Sequence, residues 1–383
     1  MRPKAIILSL GVVAINLIFG IIPHDWYYGR QVNYSSVASL ATGGVELFEP
    51  SVLMPNPLQA NVPKFIFSGA YQLSILGERR TQVIFDQYDN TIGEIATAEN
   101  NAFSSKIGKL TLLVPSPILN VEFNFMPAIN YDYYFYQEFR DDFYTRVGEE
   151  ELSVRGALYK SSLLLGKQFF KRMGAAAGII YFYGTRNYHY KYLMTNYPEV
   201  IADTLGNPRG WGFSLGGLYS PSEKLIVTAY YASPVRLIRS FTNNQTVISY
   251  PWTAKLNIAY LASGEIPTKL GVFCFYSNWQ KLHNSFQKVL YLGVGVEHTL
   301  LNLVALRYGF RIEPSFVKPT ANYVVFTIGW GFDVGSTKID FGGEIGRREI
   351  YPEHFITDIN ADKIYENILN ILVGIKVPLE KLW

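Results

Sequence analysis

The stretch Leu301–Arg348 reads LNLVALRYGFRIEPSFVKPTANYVVFTIGWGFDVGSTKIDFGGEIGRR and holds three consecutive alternating runs. From Val304 to Glu313, one parity is Val304, Leu306, Tyr308, Phe310 and Ile312, and the other is Ala305, Arg307, Gly309, Arg311 and Glu313. Val324–Asp333 repeats this, with Val324, Phe326, Ile328, Trp330 and Phe332 set against Val325, Thr327, Gly329, Gly331 and Asp333. Thr337–Arg347 does so again, with Ile339, Phe341 and Ile345 against Lys338, Asp340, Gly342, Glu344 and Gly346. Successive side chains on a strand point to opposite faces, so each run has one apolar face and one that must meet water or polar groups.

A soluble sandwich would alternate in the same way, and length and turns separate the two cases. The runs are about 10 to 13 residues long, with short turns on one side and long loops on the other, as in transmembrane barrels. The expectation is an all-β chain: a transmembrane antiparallel β-barrel of about 14 strands, in the bacterial outer membrane, with an N-terminal plug or hatch.

Composition agrees with a membrane barrel. Charged residues are only 17% and aromatics reach 15%, yet the mean hydropathy is too close to neutral for a bundle of membrane helices. Strands that dilute each apolar residue with a polar one give that mean. The net charge is +3 with no basic run, so no nucleic-acid partner is expected. Cys274 is the only cysteine, which excludes an intrachain disulfide, and its strand-like setting makes it a buried or lipid-facing thiol.

Met1-Arg2-Pro3-Lys4 precedes the uncharged run Ala5–Ile22, which reads as an export signal over residues 1–22. An uncleaved anchor is the rival, because no Ala-x-Ala site follows. Pro23–Pro63 lacks a sustained period and carries Ser35-Ser36-Val37-Ala38-Ser39, Gly43-Gly44 and Pro55-Asn56-Pro57. Its scattered Val, Leu, Phe and Met favour an ordered luminal hatch over a disordered leader. Residues 64–379 are the expected barrel.

Along the barrel, Phe65, Phe67, Tyr71, Leu73, Ile75, Val83 and Phe85 keep one parity, which permits a single long first strand. Asp89–Ser105 reads as a polar loop and Lys191–Asn207 as a long one. A single first strand gives fourteen strands and brings both ends of the barrel to one rim; a hairpin there would give fifteen. In the run from Leu119 to Phe139, Pro127 cannot donate to the ladder, so an interruption is expected at that point.

The text Gly-Trp-Gly-Phe-Ser-Leu-Gly-Gly-Leu-Tyr-Ser-Pro-Ser-Glu-Lys-Leu from Gly210, followed by Ala-Tyr-Tyr-Ala-Ser-Pro-Val-Arg-Leu ending at Leu237, resembles the FadL/TodX family of outer-membrane transporters for hydrophobic compounds. Asn278-Trp279-Gln280-Lys281-Leu282, Leu306-Arg307-Tyr308-Gly309-Phe310 and Asn56-Pro57 are similar to further motifs of that family, and the resemblance spans most of Ser35–Leu379. It implies a fourteen-stranded barrel, a hatch inside it that includes Asn56 and Pro57, and passive uptake of long-chain fatty acids or aromatic hydrocarbons. Leu58 departs from the Ala that the family carries after Asn-Pro. The related PorV-like branch, an accessory barrel for protein secretion, shares the architecture and is the alternative, along with a purely structural barrel.

Several residues carry expectations of their own. Pro127 admits two readings, a bulge or strand end, which is the commoner case, and a kink that opens the wall sideways. Arg307, Arg311, Asp333, Lys338 and Glu344, with Glu313 and Asp340, would line the lumen, where they could hold a carboxylate head or pair with one another. Trp279 is expected in the external aromatic girdle. Gly374 and Trp383 mark a C-terminal strand for the barrel-assembly machinery. The expected partners are a hydrophobic small-molecule ligand, outer-membrane lipid and that machinery, with the chain a monomer. No cofactor or metal site is expected, and no enzyme: HExxH and CxxC are absent, and a barrel lipase would need Ser, His and a polar orienter on one outer face.

Overall fold

The computed structural model describes residues 29–51, 53, 65–141, 143–169, 172–195, 197–241, 244–282, 284, 286–301, 303–317, 321–351 and 362–379. The expected signal over residues 1–22, together with Asn56, Pro57 and Trp383, lies outside them.

Fourteen antiparallel strands close into one barrel. In chain order they are β1 (Phe65–Phe85), β2 (Thr91–Val114), β3 (Asn120–Asn130 and Tyr133–Arg140), β4 (Arg146–Phe169), β5 (Met173–Met194), β6 (Val200–Ser222) and β7 (Leu225–Ala232 and Val235–Phe241). They continue with β8 (Asn244–Tyr250 and Thr253–Ala262), β9 (Thr268–Asn278), β10 (Lys288–Leu300), β11 (Val304–Pro314), β12 (Asn322–Val334), β13 (Thr337–Ile350) and β14 (Lys363–Leu379). The seam between last and first strand runs in unbroken register from Lys363↔Thr81 to Leu379↔Phe65, so the sheet closes on itself. Closure is what allows a sheet to cross lipid, since it gives the outermost strands' N–H and C=O groups partners inside the wall. Pro234 and Pro251, which lack that N–H, fall in the breaks of β7 and β8.

Burial is inverted relative to a soluble protein. On β11 to β13, Phe326 is 62% exposed, whereas Arg307 and Glu344 are each 1% exposed. The apolar parity therefore faces outward and the polar parity inward, an arrangement that is favourable only if lipid surrounds the wall. Outward rings form a belt across neighbouring strands. Tyr181 lies 4.4 Å from Trp211, Tyr231 lies 5.9 Å from Trp252, and Trp252 lies 4.9 Å from Tyr276. Amphipathic rings at one level mark a membrane–water boundary.

The wall is uneven in height. β1, β2, β4, β5 and β6 have 21, 24, 24, 22 and 23 residues, whereas β10 to β13 have 13, 11, 13 and 14. About 10 residues cross the hydrocarbon, so the first group continues as a screen beyond the rim opposite the barrel's termini. Two expected loops belong to that screen. Asp89–Ser105 is mostly β2, with Glu99 opposite Arg79 and Asn100 opposite Glu78, and Lys191–Asn207 is mostly β5 and β6, joined through residues 195–199. Beyond the lipid both faces of a strand meet water, so the alternation that reveals a strand disappears.

Trp279 corrects a further expectation. It is 1% exposed, in a 3₁₀ turn after β9, with its ring stacked on Phe316 at 4.1 Å and edge-on to Tyr250 at 6.1 Å. Buried aromatic partners hold it inside the barrel, and Trp211 and Trp252 occupy the outer belt.

Candidate functional site

Residues 29–51 pack inside the barrel. Ser36 caps a five-residue helix, α1 (Val37–Ala41), by accepting a bond from the Ser39 backbone N–H at 2.9 Å, and all five helical residues are buried. Gly43 and Gly44, both at positive φ, turn the chain out of the helix. The wall is shaped to receive it. A Cβ added at Gly329 would stand 2.6 Å from Ala41 Cβ, one at Gly295 2.6 Å from Thr42 Cβ, and one at Gly374 2.7 Å from Val37 Cγ2. Polar bonds complete the docking: Thr327 Oγ1 donates to the Ala41 carbonyl at 3.0 Å, Lys255 Nζ donates to the Gly44 carbonyl at 2.9 Å, and Asn257 both donates to and accepts from the Glu46 backbone.

The inward charges of β10 to β14 are arranged as closed sets. Arg307 donates to Glu297 at 2.6 Å and to Asp340 at 2.7 Å. Arg311 donates to Glu313 and to Glu344, both at 2.6 Å, and Arg30 of the luminal segment reaches Glu313 at 3.2 Å and Glu344 at 3.5 Å. Guanidinium forks meeting carboxylates suit a crowded interior, where each charge needs an opposite one. Arg307, Arg311 and Glu344 are thereby engaged with the wall itself. Asp333 lies elsewhere, exposed at the rim beside Lys338, its cross-strand partner. Gly374 faces inward beneath Val37.

Pro127 sits at a break in the wall. The ladder between β2 and β3 ends at Leu110↔Phe125, and beyond it β3 keeps its bonds to β4 only by way of a bulge that leaves Ala128 without a partner. Met126, Pro127, Ala128 and Ile129 are buried on both parities, so this piece of β3 is drawn in from the lipid surface. The edge released from β2 is taken up by the luminal segment: Gln31 pairs with Ile129, Arg30 pairs with Asn130, and the Val32 N–H donates to the Ala128 carbonyl at 3.0 Å. A proline that cannot donate, followed by an extra residue, makes a local departure from the sheet. Side chains span the gap. Lys106 Nζ donates to Asn130 Oδ1 at 2.6 Å and meets Asp132 Oδ2 at 2.7 Å, and the Tyr136 N–H donates to Asn100 Oδ1 at 2.8 Å.

A cavity of about 270 Å³ lies between the luminal segment and β2 to β9, and it reaches the break at Met126 and Ala128. Phe48, Leu53, Ile180, Phe182, Leu218 and Ile226 give it an apolar lining, while Lys109, Lys160, Lys255, Glu46, Glu49 and Glu122 supply charge. A mostly apolar hollow with a few polar anchors suits an amphiphilic or hydrophobic small molecule. Sequence reading did not find these lysines. Leu158, Lys160, Ser162 and Leu164 share a parity that is neither clearly polar nor clearly apolar, and only the closing of the sheet brings Lys109, Lys160 and Lys255 to one hollow.

One outward row does assemble hydrolase-like residue types: Ser153, His189 and Asp203 are register partners on β4, β5 and β6, with His189 Nδ1 2.7 Å from Asp203 Oδ1. The Ser153 hydroxyl makes no hydrogen bond among the described residues. The strand N–H groups beside it are paired in the ladder, so backbone donors for an oxyanion are not on offer.

No protein-family model and no curated protein sequence matches the chain. Solved structures do. A FadL homologue from Pseudomonas aeruginosa matches with a TM-score of 0.63 at 11% identity, over 92% of this chain and 100% of that one. The Pseudomonas putida toluene transporter TodX matches with a TM-score of 0.59 at 12% identity, over 91% and 99% of the two chains. The Ralstonia pickettii toluene transporter TbuX gives 0.58 at 11% identity, over 91% and 99%. At such identities the likeness is one of fold.

Proposed function

We propose that this chain, which has the FadL/TodX-type barrel fold, is an outer-membrane channel of a bacterium for passive uptake of hydrophobic small molecules, fatty acids or aromatic hydrocarbons among them. The observation that carries the reading is the junction of the apolar cavity with the wall break at Pro127 and Ala128. A greasy ligand that leaves sideways into lipid avoids water, whereas continuing down an aqueous lumen would forfeit about 25 cal/mol for every Å² of apolar surface re-exposed. Residues 29–51 act as the hatch, because withdrawing Arg30–Gln31 from β3 would clear the break. Neither cofactor nor chemistry is needed for such a path.

The test is deletion of Ala128, which removes the bulge and lets β3 rejoin β2. Uptake of radiolabelled dodecanoate or toluene by cells bearing the variant should collapse while the barrel still assembles. Undiminished uptake would overturn the sideways route.

A second reading has its own support. The tips of the tall screen carry unpartnered rings, with Phe143 87% exposed and Tyr88, Tyr144 and Tyr197 also open to solvent. Exposed aromatics of that kind suit protein docking, as in a PorV-like accessory barrel. A stable co-purifying protein partner, with uptake unaffected by loss of the chain, would favour it.

A further inference from the structure

The cavity holds three ammonium groups whose surroundings differ. Lys255 lies 2.9 Å from Glu46 and also donates to the Gly44 carbonyl. Lys109 makes no hydrogen bond or ion pair among the described residues, and the charges acting on it most are two carboxylates, Glu122 and Glu49. Lys160 has no hydrogen bond or ion pair among the described residues, and the charges acting on it most are Lys109 and Lys255, both of its own sign, ahead of Glu46. The three carboxylates of the lining are engaged with other groups: Glu46 with Lys255, Glu49 with Ser36 Oγ at 2.9 Å, and Glu122 with Asn124 Nδ2 at 2.6 Å.

Position adds a second line of support. Lys160 stands between Met126 of β3 and Phe182 of β5, its register partners, and both are apolar. Neither flank can offer an acceptor. Met126 is also the residue before Pro127, and Lys160 lines the same cavity as Met126 and Ala128, so it stands beside the wall break. A cation beside apolar walls and like charges is left without the anion that would stabilise it.

We propose that Lys160 is the specificity-determining residue of this cavity: it holds the oxyanion head of a single-chain amphiphile at the threshold of the wall break, with the tail along Phe182, Leu218 and Ile226. The inference rests on the channel reading given above and narrows it. Neutral hydrocarbons of the same length find the same apolar lining but leave Lys160 without a counter-ion, so the channel favours anionic amphiphiles. The head is released when the ligand moves to the lipid boundary, where water and headgroups can solvate it.

The experiment compares two ligands that share a tail, dodecanoate and dodecanol, by equilibrium dialysis on the full chain in a non-ionic detergent. The native protein should bind dodecanoate about tenfold more tightly than dodecanol, the equivalent of one charge-assisted hydrogen bond. Lys160→Met should abolish that preference while leaving dodecanol binding unchanged, and Lys160→Arg should retain it. Heat-modifiable migration checks that each variant is folded, and Lys160→Gln serves if the methionine variant is not. Binding of both ligands with no preference in the native protein, or a preference that survives Lys160→Met and Lys160→Gln, overturns the role of Lys160 and leaves the channel reading standing. Failure of the native protein to bind either ligand overturns both.

Discussion

The Lys106 ammonium lies 2.7 Å from Asp132 Oδ2, across the gap where β2 and β3 share no ladder. Where backbone bonds are missing, this ion pair and the Lys106–Asn130 hydrogen bond fasten the two strands. Lys106 thus serves as a bolt on the opening that Pro127 and Ala128 create. Replacing it with alanine should remove about 1 to 3 kcal/mol from the closed arrangement. A shift of that size raises the open population about 5- to 150-fold. Faster transfer of a hydrophobic dye from the lumen into surrounding lipid, measured in proteoliposomes, is the expected result. An unchanged rate would mean that the luminal strand alone keeps the gap shut.

Arg311 ties together Glu313 and Glu344, and Arg30 reaches the same two carboxylates from the luminal segment. Arg311→Met leaves two buried carboxylates with one cation between them. The expected loss is about 3 to 5 kcal/mol of barrel stability, the usual consequence of breaking a buried pair from one side. Replacing Arg30, Arg311, Glu313 and Glu344 together by apolar residues of similar size should cost far less. Urea unfolding of the refolded barrel in detergent distinguishes the two.

Gly329 and Gly295 leave room for the luminal helix and the turn that follows it. Gly295→Val would drive side-chain atoms into Thr42, whose Cβ is already 2.6 Å from where the first added carbon would sit. The outer face of β10 is untouched by this change. The variant should therefore keep a heat-stable barrel and expose residues 29–51 to protease. If the segment stays protected, the wall accommodates the bulk in some other way.

The docking of Glu46 should depend on pH. Burial pushes its carboxyl up, and the Lys255 ammonium 2.9 Å away pulls it down further, so it titrates below the usual carboxylate range. A carboxyl depressed in the folded state contributes to docking above the ordinary carboxylate range, and that contribution is lost as the pH falls through the lowered value. Glu46 is partly exposed, so the effect is modest. Hydrogen exchange of residues 44–49, corrected for intrinsic rates, should speed up in acid. Glu46→Gln should reproduce the fast exchange at neutral pH and remove its pH dependence, and equal protection in both proteins would exclude the pair as an anchor.

The lipid-spanning wall was legible because lipid imposes a rule on each residue. One parity must be apolar, so Val304–Glu313 and Val324–Asp333 announce themselves as strands. Pro127 was legible for a different reason, since a proline in a ladder has no N–H to give. The upper parts of β2, β5 and β6 were not legible, because water on both sides removes the rule: Thr91, Ile92, Gly93 and Glu94 are all exposed. Trp279 misled because its residue type fits a girdle as well as a core, and only its stacking on Phe316 distinguishes them.

From the amino-acid order alone came the number of strands, their direction of facing and the weak point at Pro127, each the product of a constraint acting between near neighbours in the chain. Closure of the sheet decided the rest. It placed Lys109, Lys160 and Lys255 at one hollow, left Lys160 without a carboxylate partner, and laid Arg30–Gln31 along the edge that β3 releases. Those relationships join residues tens to hundreds of positions apart, and no local period encodes a distance across the lumen.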